Sequence, residues 1–208
     1  MKIAVINETS SANRNSDILN ALEGRGHDIF NLGMTVPGAE PELTYIHTGL
    51  LTGLLLNLKK VDLVIGGCGT GQGFLNSALQ YPGVFCGLIQ NPMDAWLFAQ
   101  INGGNCISLA LQIQYGWAAD VNLKFIFDKL FSFENFGSGY PENRKKSQEQ
   151  SRNSLIDISH KSHKKIHEIL NSIDKETVVT ALNYPGVPKF IDLDSIDDEL
   201  LRKTLFNI

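Results

Sequence analysis

Short apolar, β-branched runs alternate with longer segments of helical spacing over the first two thirds of the chain. Ile3–Ile6 predicts a buried strand. Ser16–Leu22 carries a helical repeat that stops at Gly24-Arg25-Gly26. Asp28-Ile29-Phe30 reads as a second, shorter strand, and a loop rich in Gly and Pro follows from Gly33 to Pro41. Leu43–Lys60 is a helix, apolar on much of its surface, and Leu63–Ile65 is the third strand. A glycine-rich run then opens another helix. Val84–Ile89 is the fourth strand, Pro92–Ile101 a helix that Asn91 or Asp94 helps to start, Asn105–Leu109 the fifth strand, and Asn122–Phe131 a closing helix.

This alternation predicts an α/β fold: a doubly wound, five-stranded parallel sheet with helices on both faces. From Phe133 the character changes. Gly137-Ser138-Gly139-Tyr140-Pro141 is a loop, and Arg144 to Lys165 carries seven of the eighteen Lys and Arg residues. Ser151–Ile173 spaces Leu155, Ile158, Ile166, Ile169, Leu170 and Ile173 as one long amphipathic helix would. The expected organisation is an α/β domain over residues 1–150 and a helical extension, 151–208, packed on the same domain.

In parallel sheets of this kind ligands bind beyond the carboxyl ends of the strands, near a topological switch point. That rule selects Asn7, Glu8 and Thr9 after the first strand, Cys68 and Thr70 after the third, and Gln90 and Asn91 after the fourth. Asn102 precedes the fifth strand, so it reaches such a site only if the helix ahead of it runs back to that edge, or from a partner subunit.

Composition narrows the class. Hydrophobic residues make up 43% and charged residues 19% of the 208, an ordinary globular balance. A net charge of −4 argues against wholesale nucleic-acid binding. The longest apolar stretch, around Leu50 to Leu58, is far short of a membrane span, and the apolar start Met1–Ile6 is too short for a signal peptide. The three cysteines, Cys68, Cys86 and Cys106, have no metal-ligand spacing. Cys86 and Cys106 read as core fillers of strands, and a reducing cytoplasm fits.

The chemistry concentrates in Gly66-Gly67-Cys68-Gly69-Thr70-Gly71-Gln72-Gly73. Glycines let the backbone turn tightly and bring N–H groups close to a ligand. A thiol set among them can act as base or nucleophile once ionised. The spacing fits neither a dinucleotide fingerprint nor a P-loop: from Gly67 the final glycine position is Gln72, from Gly69 it is Phe74, and no Lys follows. A tight strand–helix turn around a buried thiol is the structural alternative. Glu8 reads either as a carboxylate that moves protons between sugar oxygens or as a solvated loop acid. Asn102-Gly103-Gly104-Asn105 is either a turn or a source of amides for hydroxyl or enediolate oxygens. His160, His163 and His167 sit at helical spacing and read as a solvated face, and His47 as a satisfied interior histidine. Arg144-Lys145-Lys146 is either surface charge or a holder of an anionic substrate.

Four segments occur together in one order: Lys2-Ile3-Ala4 opening a strand, Gly67-Cys68-Gly69-Thr70-Gly71 after the third strand, Pro82-Gly83-Val84 before the fourth and Asn102-Gly103-Gly104-Asn105 before the fifth. With them the chain resembles, over residues 1–152, the type B ribose-5-phosphate and galactose-6-phosphate isomerase family. The resemblance implies a Rossmann-like sheet, a homodimer or dimer of dimers with sites at the subunit interface, and aldose–ketose isomerisation through an enediolate with neither metal nor cofactor. It implies that Cys68 is the base and that Thr70, Glu8 and Asn102 complete the catalytic set. Asn7, Gly69, Gly71, Gln72, Gly73, Asn91, Arg144 and Arg152 would hold a small anionic sugar. The chain departs from the family where Glu8-Thr9 replaces Asp-His and Ile101 replaces a ring-opening histidine. A branch acting on unsaturated-uronate breakdown products such as 4-deoxy-5-hexosulose-uronate fits these departures better than a phosphosugar does. A sugar-binding regulator without catalysis is a second reading, and a nucleotide-binding oxidoreductase a third.

Overall fold

The computed structural model describes residues 1–113 and 115–208. Five strands, β1 (Lys2–Asn7), β2 (Asp28–Asn31), β3 (Leu63–Cys68), β4 (Cys86–Ile89) and β5 (Cys106–Ala110), form one parallel sheet in the order β2-β1-β3-β5-β4. The connection from β1 leads to β2 on one side, and that from β3 leads to the other side. The switch point therefore lies between the carboxyl ends of β1 and β3.

The strand period of two divides the core. Ile3, Val5, Leu63, Ile65, Ile107 and Leu109 face α1 (Asn15–Leu22) and two further helices. Ala4, Ile6, Val64 and Cys106 face the opposite way, toward α2 (Tyr45–Asn57) and α3 (Gln72–Ala78). On the first face lie α4 (Pro92–Leu97), which runs on into a π-helical turn over Phe98–Asn102, and α5 (Ala119–Leu130). Helix α2 is apolar all round because both of its sides are covered, one by the sheet and α3, the other by the extension. The buried hydroxyls of Thr48 and Thr52 donate to carbonyls one turn back.

The extension consists of α6 (Lys145–Ser162), α7 (Ile166–Ser172), α8 (Lys175–Leu182), α9 (Val187–Ile191) and α10 (Glu199–Phe206). Ile166, Leu170, Val178, Ala181, Val187, Ile191, Leu201 and Leu205 belong to the same buried cluster as α2 and α3. The single helix expected over Ser151–Ile173 is two helices. Seven residues without an apolar anchor separate Ile158 from Ile166. His163 is extended there, and the Glu168 carboxylate takes the Lys165 N–H at the start of α7. His160, His163 and His167 consequently do not share a helical face. No described helix is long and apolar enough to cross a membrane.

Candidate functional site

Two glycines of the Cys68 run answer to packing rather than to a ligand. A Cβ at Gly66 would enter the ring of buried Phe74, whose helix folds back onto β3. Gly71 has φ +76°, and a Cβ there would lie 2.6 Å from Leu88 Cδ1. The tight turn is thus required by the strand–helix packing, and the thiol is placed by it.

Three loops at the carboxyl edge of the sheet are clasped together. After β1, buried Glu8 accepts the Ser10 hydroxyl at Oε1. Ser10 Oγ in turn accepts the Gly69 N–H at 2.9 Å. Gln112, after β5, donates its side-chain amide to Ser10 O at 2.6 Å and its backbone N–H to Gly69 O at 3.0 Å. Cys68 sits at the centre, 5% exposed, with Sγ 4.0 Å from Thr70 Oγ1. Its carbonyl accepts the N–H groups of Gly71 at 3.3 Å and Leu111 at 3.1 Å. Cys68, Thr70 and Glu8 are brought to one place, as the strand-edge rule expects. Ser10 and Gln112 escaped the sequence reading because their partners are 59 and 102 residues away.

Several expected ligand-binding groups already have protein partners. The amides of Gly69, Gly71 and Gln72 donate to Ser10 Oγ, Cys68 O and Thr70 Oγ1. Among the described residues, the amides of Thr70, Gly73 and Phe74 have no protein acceptor. They lie at the opening of α3, where partial positive charge favours an oxyanion. Tyr45 lies against Gly73, where an added Cβ would be 3.0 Å from the ring. Asn7 is fully buried: its amide donates to Ser11 O and Met34 O and its oxygen accepts from Asn15, so it organises loops and leaves nothing for a substrate. Asn91 caps α4, accepting from Met93 and Asp94 N–H and donating to the Asp94 carboxylate. The Thr9 oxygen accepts the Gly38 N–H at 3.0 Å, and its backbone N–H donates to Leu43 O.

The remaining expected residues lie at the opposite edge. The chain leaves the carboxyl end of β4, runs through α4 and the π turn, and enters β5 at its amino end, which puts Asn102 away from Cys68 of the same chain. Carbonyls that the π turn leaves unpaired are taken from outside the helix. Gly137 N–H donates to Ala99 O at 2.6 Å, Gly139 N–H to Gln100 O at 2.7 Å, and Arg152 Nη1 to Ile101 O at 2.9 Å. Arg152 Nη2 reaches Gly137 O at 2.8 Å, so this guanidinium latches α6 to the turn. Arg144 is exposed at the start of α6, with Ser147 as its partner. A cavity of about 640 Å³ opens here along the edge strand β4, lined by Leu88, Leu97, Ile101, Asn102, Arg152 and Leu155 among others. Cys86 also lines it and is only half-buried, unlike fully buried Cys106 beside it in the sheet. The expectation that both cysteines are core fillers holds for Cys106 alone, because β4 is an edge strand.

His47 is not an interior residue but part of a capping box. Its Nδ1 accepts the Thr44 N–H at 2.9 Å at the start of α2, and burial pushes its pKa below the ordinary 6.5. Tyr115 anchors the loop after β5 by donating to Asp17 at 2.7 Å; burial and then the Asp17 carboxylate raise its phenol pKa well above the usual range. Among the described residues no three His, Cys, Asp or Glu side chains are grouped to hold a metal.

The sequence profile of the ribose/galactose isomerase family matches residues 3–135. No curated protein sequence matches the chain. Among solved structures, a 4-deoxy-L-threo-5-hexosulose-uronate ketol-isomerase in complex with tartrate is 34% identical, covering 100% of this chain and 98% of its own, with a TM-score of 0.92. A ribose-5-phosphate isomerase from Vibrio parahaemolyticus is 43% identical, covering 91% of each chain, with a TM-score of 0.87. A ribose-5-phosphate isomerase B from Clostridium thermocellum shares the fold at 22% identity and a TM-score of 0.63, covering 78% of this chain and 99% of its own. With a parallel sheet in the order β2-β1-β3-β5-β4, the Cys68 loop at its switch point and these likenesses, the chain belongs to the ribose/galactose isomerase family, whose members are aldose–ketose isomerases.

Proposed function

We propose that the protein interconverts an aldose and a ketose form of a deoxy-hexulose uronate, with Cys68 as the base. The observation that carries this reading is the meeting of Cys68, Thr70 and Glu8 at the switch point between β1 and β3. Cys68 as thiolate takes the proton from the hydroxyl-bearing carbon next to the aldehyde, giving an enediolate. The same thiol returns that proton to the former aldehyde carbon, while the hydroxyl proton crosses to the other oxygen. Glu8 is placed to carry that oxygen-to-oxygen transfer. The free amides at the start of α3 stabilise the charge on the enediolate oxygen.

Asn102 and Arg152 lie at the far edge of the same chain, so a second copy supplies Asn102 to each site. The apolar cavity beside Asn102 is the surface that such a copy covers. The protein accordingly acts as a homodimer or a dimer of dimers, in the cytoplasm, without nucleic acid or membrane.

Three features favour a uronate. The Thr9 oxygen is already engaged by Gly38, no histidine stands at Thr9 or Ile101, and the uronate isomerase is similar over the whole chain. A phosphosugar is the second reading, favoured by the higher identity of the Vibrio enzyme. Product analysis by NMR in deuterated water, over ribose 5-phosphate, galactose 6-phosphate and the deoxy-hexulose uronate, decides between them. Fastest turnover of the uronate supports the first reading, and fastest turnover of a phosphosugar replaces it by the second. No conversion of any sugar, and no deuterium entering one, would leave only a sugar-binding role.

A further inference from the structure

We infer that Ser10 is a positioning residue for the isomerisation, acting on Glu8; this rests on the reading of Glu8 as the group that moves protons between substrate oxygens. A backbone N–H can only donate, so Ser10 Oγ must be the acceptor toward Gly69. The hydroxyl then has one hydrogen, and it goes to Glu8 Oε1. With Glu8 as the carboxylate, the donor order therefore runs from Gly69 N–H to Ser10 O–H to Glu8. Each bond in such a chain polarises the next, so the serine is a stronger donor to the carboxylate than an isolated hydroxyl.

The consequence falls on the orientation of Glu8. The carboxylate is buried, and among the described residues Ser10 is its side-chain partner. One oxygen is committed to the serine, and the other is left to face the substrate. The Ser10 backbone is itself held, because its carbonyl accepts from Gln112, and Gln112 also binds Gly69. Ser10 thus fixes the Glu8 carboxylate relative to the loop that carries Cys68. Both proton carriers are kept in one frame, although they arrive from different strands.

The test compares Ser10→Ala and Ser10→Thr with the native enzyme on the sugar that the native enzyme turns over best. Ser10→Ala should lower kcat about 10- to 100-fold, the scale for a displaced reacting group, and leave KM within about threefold. Ser10→Thr, which keeps the hydroxyl, should recover most of the loss. Alkylation of Cys68 by iodoacetamide, located by mass spectrometry, should proceed in Ser10→Ala within about twofold of the native rate, because the thiol itself is not the target. A native kcat in Ser10→Ala, no recovery in Ser10→Thr, or a Cys68 alkylation rate changed as much as kcat would each overturn the assignment. A native enzyme inactive on every sugar would instead overturn the isomerase reading, and the role of Ser10 with it.

Discussion

At the carboxyl edge of the sheet, the loops after β1, β3 and β5 are tied to one another by Ser10, Gly69 and Gln112. At the opposite edge, the π turn and β4 border an apolar cavity of about 640 Å³ whose polar residues include Asn102 and Arg152. The first edge holds Glu8 and the Cys68 loop in place with hydrogen bonds internal to the chain. The second is well satisfied in its backbone, through Gly137, Gly139 and Arg152, yet leaves apolar side chains uncovered. Polar order at one end and an unfilled apolar groove at the other are the contrast on which the proposal of a site shared between two copies rests.

The strongest way to break this contrast is to remove the thiol. Cys68→Ala should abolish turnover by roughly 10²–10⁴-fold or more while the substrate still binds by calorimetry, because only the proton carrier is lost. Near-native turnover would take Cys68 out of the mechanism. Next comes the division of the site between copies. Asn102→Ala should cost about 10²–10³-fold in kcat, as removal of one oxyanion donor does. Unfolding and refolding an equimolar mixture of Cys68→Ala and Asn102→Ala should then restore about a quarter of native activity, since half the dimers carry one intact composite site. A mixture no more active than its parents would place both residues in one chain's site or in none.

Smaller effects probe how each edge is built. Gly66→Ala should destabilise the fold by about 1–3 kcal/mol in urea denaturation, because its methyl enters the space of the Phe74 ring. An unchanged midpoint would mean that Phe74 does not need this glycine. The His47 cap gives the mildest effect. Its folded pKa lies below 6.5, so below that value the unfolded chain binds more protons than the folded one. The cap's contribution is complete above 6.5 and is lost as pH falls through the folded pKa, when Nδ1 can no longer accept from Thr44. His47→Gln keeps an acceptor that does not titrate, so its melting temperature should fall less on acidification than that of the native protein.

The difference between the edges also governs what could be read from sequence. The Cys68 loop and Glu8 were legible because both follow strands, and strand ends are marked by local pattern. Ser10 looked like any loop serine, since its importance comes from Gly69 and Gln112, which are distant in sequence. Asn7 and Asn91 lay where a ligand-binding residue would, but a short amide near a helix start satisfies backbone groups equally well, and here it does. The distance of Asn102 from Cys68 was legible, since Asn102 precedes β5, whereas the strand order that sets β5 rather than β4 beside β3 left no local trace. The break between α6 and α7 did leave one, in the polar stretch between Ile158 and Ile166, which a repeat counted only from apolar positions passes over.

The position of β4 has a consequence for how the chain assembles. β1 pairs directly with both β2 and β3, so that part of the sheet can close as soon as Cys68 is available. β4 pairs only with β5, which is inserted between it and β3 and comes later in the chain. During synthesis the segment Cys86–Ile89 must therefore wait without a neighbour until residues 106–110 have emerged. Pulse-labelled hydrogen exchange on refolding should show the β4 amides gaining protection no earlier than those of β5, and after those of β1. Until then its open edge is the part of the nascent protein most exposed to pairing with a foreign strand.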